Sequence, residues 1–334
     1  MQGRQLPRVR VKRRSYTDRS FLHPNRRNYL LKFEMEVPEN SYLLTSSGLS
    51  KLDYSKLERK FKEILRKVSS GKEDIRRAAQ ILEKHFDEIR RSSSPSRNEI
   101  PRYDDVAILP GSSIKGAVRS RVEYKLKPVK TSKGYESASC YSVVGQYNTL
   151  SKAHMEFWYP EVIYPRERCG PKEFCVVCDL FGSQGLGSRV YFSLRSRVYF
   201  SDGILMKGGP VRLDGYGEAF SPGSKFSLEV TCENSTILDL GLLFLGTEQF
   251  SGSPILLGGR KYAFNPKTGG KYKNEYFFGL VTFKLKEILE FEPNGKKETI
   301  KEEKEIQEKI NEARKKLIQE IGEEYIGFEE GVIK

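Results

Sequence analysis

Runs of aromatic and β-branched residues alternate with glycine-rich turns from about residue 100 to residue 285, and this alternation constrains the fold most strongly. Short runs bounded by glycine predict β-strands, here at Tyr191–Leu194, Arg197–Phe200, Phe226–Thr231 and Phe277–Leu285. An apolar run at Ile237–Leu245 suits either a helix or a buried strand. Because no long-period repeat accompanies these runs, the pattern predicts a sheet-containing core rather than a solenoid.

Helical segments flank this glycine-rich region. Two capping boxes, each a serine three positions before a glutamate, introduce apolar residues at helical spacing and predict a helical hairpin over residues 53–91. The boxes pair Ser55 with Glu58 and Ser70 with Glu73. A charged helix with one narrow apolar stripe is predicted over about 298–322. Strands and helices together indicate an α+β fold.

The chain is strongly basic, and its charge is unevenly distributed. The formal net charge is +14, and residues 1–32 hold ten lysines and arginines against one acid, Asp18. We therefore interpret residues 1–28 as a basic N-terminal arm and expect a polyanionic partner such as nucleic acid. The alternative is a lysine-rich surface with no such partner.

Several features predict a cytoplasmic protein without a membrane partner. No stretch approaches the roughly 18 apolar residues that a membrane span needs. No apolar segment follows the basic N-terminus, as it would in a secretory signal peptide. Five cysteines in 334 residues do not suggest a disulfide scaffold, so clustered cysteines are better explained as metal ligands.

The segment Leu109–Leu126 predicts an anion-binding helix start. A proline–glycine turn leads into a helix whose first turns carry two hydroxyl groups and two cations. The free N–H groups, the positive end of the helix dipole and these side chains converge on one point. The residues concerned are Gly111, Ser112, Ser113, Lys115 and Arg119. An ordinary capped helix is the alternative.

A second glycine-rich basic segment precedes the last predicted strand. It consists of Gly258, Gly259, Arg260 and Lys261. Two glycines allow a backbone to approach closely, and the adjoining cations suit phosphate. The alternative is a hairpin turn whose lysines are simply solvated.

Candidate metal ligands cluster in the middle of the chain. Cys175 and Cys178 have the spacing of a zinc knuckle, and His154 and Cys169 lie within 25 residues of them. A Cys₃His set is a common structural zinc site, so we predict one Zn²⁺ ion held by these four residues. We interpret Cys140 as a cysteine outside the metal site, although it could replace His154 as the fourth ligand. The alternative to a metal site is a set of free thiols in the core.

Three acidic residues precede the proline–glycine turn and are the candidate catalytic groups. Asp105 ranks first because it is the aspartate nearest the turn in sequence, followed by Asp104 and then Glu99. A carboxylate beside bound RNA can hold a divalent ion such as Mg²⁺ for phosphodiester cleavage. Ordinary solvated acids are the alternative.

Four motifs follow one another along the chain. They are PGSSIKGAVRS (Pro110–Ser120), CDLFGS (Cys178–Ser183), RVYFSDG (Arg197–Gly203) and LLGGRK (Leu256–Lys261). In combination, over about 100 to 285, they resemble the RAMP superfamily, the repeat-associated proteins of type III CRISPR–Cas effector complexes. The similarity is greatest to the backbone-type subunits of the Csm and Cmr complexes.

The resemblance implies an RRM-like (ferredoxin-like) core with insertions. The strand near 29–37 is then the first strand, and Gly258–Lys261 is the family's glycine-rich loop. The implied organisation is a RAMP domain over 29–285 followed by a charged helical segment over 286–334. Its insertions are the helical hairpin at 53–91, where backbone subunits usually have a short loop, and a zinc-binding segment at 140–180.

The function that the resemblance implies is binding of CRISPR guide RNA within a type III antiviral ribonucleoprotein. Target RNA and other RAMP-family and large subunits are the implied partners. Nuclease members carry an aspartate shortly before a proline, whereas this chain has Glu99 two residues before Pro101, so metal-dependent endoribonuclease activity stays open. The alternatives are a stand-alone CRISPR RNA-processing endoribonuclease and a non-catalytic structural paralogue.

Overall fold

The computed structural model describes residues 9–45, 54–72, 74–92, 99–140, 169–170, 172–186, 191–213, 216–259, 261 and 277–328. Within these residues the α-helices are α1 (Tyr54–Ser69), α2 (Ile75–Ser92), α3 (Gly111–Lys125), α4 (Val176–Phe181), α5 (Ile237–Gly246) and α6 (Glu303–Ile321). A short 3-10 helix, Glu323–Tyr325, follows α6.

The strands of the described residues belong to one large sheet and four small ones. The large sheet contains β3 (Arg27–Glu36), β4 (Arg102–Tyr103), β5 (Val106–Leu109), β11 (Val198–Phe200), β12 (Gly203–Lys207), β15 (Lys225–Ser235), β16 (Ile255–Leu256), β17 (Leu280–Phe291) and β18 (Lys297–Ile300). The small sheets contain β1 (Val9–Val11), β2 (Arg14–Ser15), β6 (Val129–Thr131), β7 (Gly134–Ser137), β8 (Glu173–Phe174), β9 (Ser183–Leu186), β10 (Tyr191–Leu194), β13 (Pro210–Leu213) and β14 (Gly217–Phe220). The predicted α+β class is confirmed.

The large sheet is built around β3. Its order is β16-β17-β3-β15-β12-β5-β4, and β3 is antiparallel to both neighbours. Leu31, Phe33 and Met35 are buried on one face of β3, as their alternation predicts. On the opposite face Lys32 pairs with Glu287 of β17 at 3.2 Å. The alternating pattern therefore fixes which face of the sheet receives the helices.

Helix α5 packs closely between α3 and α6 because glycine occupies two of its contact positions. A Cβ on Gly246 would lie 2.6 Å from Val122 Cγ2 of α3, and one on Gly241 would lie 2.8 Å from the Ala313 carbonyl oxygen of α6. The apolar stripe predicted for the C-terminal helix is buried here, so α6 belongs to the core layer. No helix in the described part of the chain is both long and apolar enough to cross a membrane.

The described part of the basic N-terminal segment packs on the body of the protein. β1 pairs with β7, and β2 pairs with β8. Val9, Val11 and Thr17 are buried. Residues 9–28 of the predicted basic arm therefore include strands that pair with the rest of the protein, while residues 1–8 lie outside the described residues.

The helical hairpin forms over the predicted residues. Ile64 of α1 and Ala78 of α2 are buried, but Phe61 and Leu65 are 46% and 50% exposed. Ser55 is the second residue of α1 rather than a residue preceding it, so the predicted capping box does not mark the helix start. The hairpin thus has a narrow buried seam and broad solvated faces.

Candidate nucleic-acid interface and metal centre

The start of α3 is in backbone contact with the edge of the sheet. A Cβ on Gly111 would lie 2.4 Å from the carbonyl oxygens of Phe200 and Ser201, so only glycine fits. The Gly111 N–H donates to Asp202 Oδ1 at 2.7 Å. The motifs around Gly111 and Asp202, far apart in sequence, therefore meet at this point.

The Asp202 contact changes the anion site that the sequence predicts. One of the free N–H groups of the helix start already has a carboxylate partner, and the N–H groups of Ser113 and Ile114 donate to the Pro110 carbonyl. Ser112 and Ser113 are exposed. A phosphate at this point is thus expected to contact hydroxyl groups and Lys115 more than the helix dipole.

Lys115 is a half-buried cation beside this turn. Its Nζ lies 5.7 Å from the centroid of the Tyr199 ring. Burial, with a smaller contribution from the nearby Arg119 charge, lowers the pKa of Lys115 to about 8. An anion at this position would compensate the cost of burying the ammonium group, which is the property expected of a binding site.

Arg119 is turned away from the predicted site and toward the cysteine cluster. Its Nε lies 2.9 Å from Glu123 Oε1, and its two terminal nitrogens lie 2.8 Å from the Gly182 carbonyl oxygen and 3.5 Å from Cys178 Sγ. The expectation that Lys115 and Arg119 act together on one phosphate is therefore revised. A helix spacing of four places them on one side, but tertiary partners occupy the guanidinium.

Sequence reasoning did not select Tyr199, whose ring lies near Lys115, or Arg195, which lies near the same ring. The Tyr199 hydroxyl donates to the Ser196 carbonyl at 2.5 Å, and the Arg195 guanidinium lies 5.8 Å from the ring centroid. Arg195 is 61% exposed and pairs with Glu233 at 2.5 Å. The only sequence signal was the position of Tyr199 within the motif Arg197–Gly203.

The glycines of the second predicted site contact another part of the chain. Gly258 has a φ of 84°, and a Cβ there would lie 2.3 Å from the Leu44 carbonyl oxygen. The Gly259 N–H donates to the same oxygen at 2.7 Å. Burial lowers the pKa of Lys261. Arg260 lies outside the described residues. Close packing on Leu44 explains why both neighbouring positions are glycine.

The hairpin of β4 and β5 sets the distance of the candidate catalytic acids from the glycine turn. Asp104 and Asp105 form the turn between β4 and β5, with Asp104 at a φ of 50°. Asp105 lies five residues before Pro110 across β5, a separation of about 16 Å along the strand. Continuing the antiparallel register brings Glu99 opposite Pro110 instead. Sequence distance from the glycine turn therefore does not measure spatial distance, because a hairpin reverses the chain, and the ranking of the three acids stays a prediction.

Four cysteine sulfurs form a buried cluster. Cys140 Sγ lies 3.3 Å from Cys178 Sγ, 3.4 Å from Cys169 Sγ and 3.7 Å from Cys175 Sγ. All four sulfurs lie within 4.8 Å of one another. Zinc with Zn–S bonds of about 2.3 Å places tetrahedral thiolates about 3.8 Å apart, so the donor set fits a closed four-thiolate site.

Cys140 takes the fourth position that the sequence analysis gave to His154. His154 lies outside the described residues. Backbone N–H groups also point at the sulfurs, with Cys175 N 3.1 Å from Cys169 Sγ and Cys178 N 3.4 Å from Cys175 Sγ. Such contacts orient thiolates and stabilise their charge.

A buried charge cluster links two of the sequence motifs. Arg197 is fully buried, with Nη2 2.8 Å from Asp239 Oδ1 and 3.1 Å from Asp179 Oδ2. Asp179 also accepts from the Thr17 N–H and hydroxyl at 2.9 and 2.8 Å. These motif residues therefore hold α4, α5 and the N-terminal segment together.

Comparison with known proteins decides the family. The model of the RAMP superfamily matches residues 41–330, which is most of the chain. The chain belongs to the RAMP superfamily. No curated protein sequence matches this RAMP protein significantly.

Two solved structures are similar to this RAMP protein at low identity. One is a chain of the Csm3–Csm4 subcomplex in the type III-A CRISPR-Cas interference complex, with a TM-score of 0.33 and 14% identity over 87% of this chain and 96% of that chain. The other is Thermofilum pendens Csc2, with a TM-score of 0.37 and 12% identity over 91% of this chain and 81% of that chain. The family assignment rests on the superfamily match.

Proposed function

We propose that this RAMP protein is a CRISPR guide-RNA-binding subunit of a type III effector complex. The observation that carries the proposal is the half-buried Lys115 at the start of α3. Its pKa is lowered to about 8, its Nζ lies 5.7 Å from the centroid of the Tyr199 ring, and the exposed Ser112 and Ser113 precede it at the helix start. Cationic and hydroxyl groups at a helix start suit phosphate, which positions RNA without reading its bases.

The core on which this site rests is RRM-like under the same proposal. The four central strands stand in the order β17-β3-β15-β12, which is fourth, first, third and second along the chain. All of their pairings are antiparallel, α3 lies between the first and second strands in sequence, and α5 lies between the third and fourth. This arrangement supports a split βαβ unit repeated once.

The cysteine cluster is proposed to hold one structural Zn²⁺ ion. Four buried thiolates leave no position for a substrate, and closed tetrahedral sites of this composition are structural. Bound zinc would supply a cross-link among Cys140, Cys169 and the start of α4. Arg119 of α3, which Glu123 of the same helix holds in place, contacts Cys178 and would connect that cross-link to α3.

Binding is better supported than cleavage. Asp104 and Asp105 lie at the tip of a hairpin, about four strand residues from the glycine turn. The Ile108 N–H donates to the Pro101 carbonyl, and continuing this register by two residues would bring Glu99 beside Pro110. We therefore propose Glu99 as the only one of the three that is placed to help a divalent ion at the α3 site.

The proposal is tested by binding assays on the purified protein with labelled single-stranded RNA. Lys115→Ala is expected to weaken binding by about ten- to a hundredfold, because one buried charge-assisted contact is worth roughly 1.5–3 kcal/mol. The exposed Lys304→Ala on α6 is the matched control and is expected to bind as the unmodified protein does. Equal affinity of both variants, or no RNA binding by the unmodified protein, would contradict the proposal. If the proposal holds, sequencing of the RNA that co-purifies with the protein would identify CRISPR repeats.

A further inference from the structure

The helical hairpin α1–α2 has the largest excess of basic over acidic residues among the described helices. Residues 54–92 hold twelve lysines and arginines against seven acids, whereas residues 303–321 of α6 hold five of each. Both segments are amphipathic and highly charged, so a general preference for charged surfaces does not explain the difference. The excess belongs to the hairpin.

The basic side chains of α1 form a continuous stripe. A shallow cleft of about 500 Å³ runs along this helix and the following turn. It is lined by Arg59, Lys62, Glu63, Arg66, Lys67, Ser70 and Lys72. The positions within α1 recur every three or four residues, so they share one face, and from residue 59 to residue 70 they extend over about 16 Å. A stripe of this shape matches a linear polyanion better than a small ligand.

The glutamates on α1 form only weak, exposed ion pairs with neighbouring lysines. Glu63 pairs with both Lys60 and Lys67 at 3.0 Å, and Glu58 pairs with Lys62 at 2.6 Å. Exposed helix pairs of this kind contribute only about 0.3–0.5 kcal/mol, so phosphates can replace the carboxylates at little cost. Arg66 and Lys72 have no acidic partner among the residues that the structure describes.

The cations of the stripe are exposed, and its two arginines face away from the seam of the hairpin. Ile64, which is buried, lies on the opposite side of α1 from Arg59 and Arg66 by helical geometry. Substitution of the exposed cations therefore leaves the packing of α1 against α2 intact. The surface is available to a ligand without rearrangement of the helices.

We propose that the α1 stripe is a second binding site for the phosphate backbone of RNA, separate from the Lys115 site. The inference rests on the proposed function in one respect, that the partner is RNA. The hairpin would extend the length of RNA that one chain covers and would read no bases. This proposal gives the α1–α2 hairpin a role in RNA binding that its sequence alone does not predict.

The test measures the salt dependence of binding for a long single-stranded RNA of about 40 nucleotides by fluorescence anisotropy. The variant is Arg66→Ala/Lys67→Ala/Lys72→Ala, and the control is Lys304→Ala/Lys315→Ala/Lys316→Ala on α6. Both remove three positive charges, and each removes one lysine of an i,i+4 pair with glutamate. Alanine favours helix, so neither should unfold its helix, which circular dichroism checks.

The hairpin variant is expected to flatten the slope of log K against log salt concentration by about 2, since each phosphate contact to a single strand contributes roughly 0.7. The control is expected to keep the unmodified slope. If the unmodified protein binds RNA and both variants share its slope, the hairpin site is overturned while the proposed function stands. If the unmodified protein binds no RNA, both are overturned.

Discussion

Arg197 and Asp239 form a fully buried ion pair in which Nη2 of the arginine lies 2.8 Å from Oδ1 of the aspartate. The second carboxylate, Asp179, lies 3.1 Å from the same nitrogen. Asp239 also accepts from the backbone N–H of Thr236 at 2.9 Å and so closes the start of α5. The pair therefore joins the sheet, α4 and α5 at one point.

Replacing Asp239 with asparagine is expected to destabilise the protein by about 3 kcal/mol, because breaking a buried pair leaves Arg197 with less negative charge around it. Urea unfolding followed by circular dichroism measures the change. Glu320→Gln on the exposed face of α6 is a matched carboxylate-to-amide control and is expected to stay within about 0.5 kcal/mol of the unmodified protein. A loss no larger than that of the control would contradict the assigned role.

The same pair predicts a specific response to acid. Burial raises the pKa of Asp239, but the Arg197 charge outweighs it and the net pKa is lowered from 3.8 to about 2. The stabilisation is therefore present above pH 3.8 and is lost as the pH falls toward 2, amounting to about 2 kcal/mol. Unfolding free energies measured between pH 5 and pH 2 should fall less steeply in Asp239→Asn than in the unmodified protein. Parallel curves would show that Asp239 does not titrate in this way.

Cys140 and His154 are distinguished by a pair of substitutions. The four-cysteine cluster predicts about one zinc equivalent per chain, retained in His154→Ala and lost or strongly reduced in Cys140→Ser. Elemental analysis of purified protein gives the metal identity as well as its amount. Cys232→Ser is the control, because Cys232 is buried in the sheet and is not one of the four clustered cysteines. Loss of zinc in His154→Ala alone would restore the ligand set expected from sequence.

RNA binding is expected to weaken with rising pH. Lys115 has a pKa of about 8 and is therefore charged below pH 8 and increasingly neutral above it. Affinity for an oligoadenylate should fall by about fourfold between pH 6.5 and pH 8.5, as the charged fraction falls. Lys115→Arg keeps its charge throughout and should flatten this dependence. An equally steep fall in that variant would assign the titration to another group.

The candidate acids give a prediction about cleavage. If the assembled complex cleaves a matched target RNA in magnesium, Glu99→Ala is expected to reduce the rate by about a hundredfold or more. Asp105→Ala is expected to leave it unchanged, because Asp105 lies at the far end of β5. The reverse result would show that the hairpin tip, rather than the glycine turn, meets the scissile phosphate. Unaltered cleavage in both variants would leave this chain with the binding role alone.

Local patterns in the sequence determined the elements of this protein. The alternation at Leu31, Phe33 and Met35 specified a half-buried strand, and the apolar stripe of residues 306–321 specified a packed helix. The four motifs between Pro110 and Lys261 indicated the superfamily, which the match over residues 41–330 confirms. These predictions succeeded because periodicity and turn chemistry act over a few residues.

Only the tertiary structure decided which of these residues meet. Asp202 caps Gly111 across the sheet edge, Arg119 turns to Cys178, and Cys140 joins cysteines that follow it by about 30 residues or more. Sequence distance ranked Asp105 ahead of Glu99, yet the turn at Asp104 and Asp105 folds β4 back along β5, so separation along the chain does not measure distance from the glycine turn. The physical reason is that hydrogen bonds and thiolate clusters are governed by distances of a few ångströms between side chains, which the chain path sets and spacing along the sequence does not.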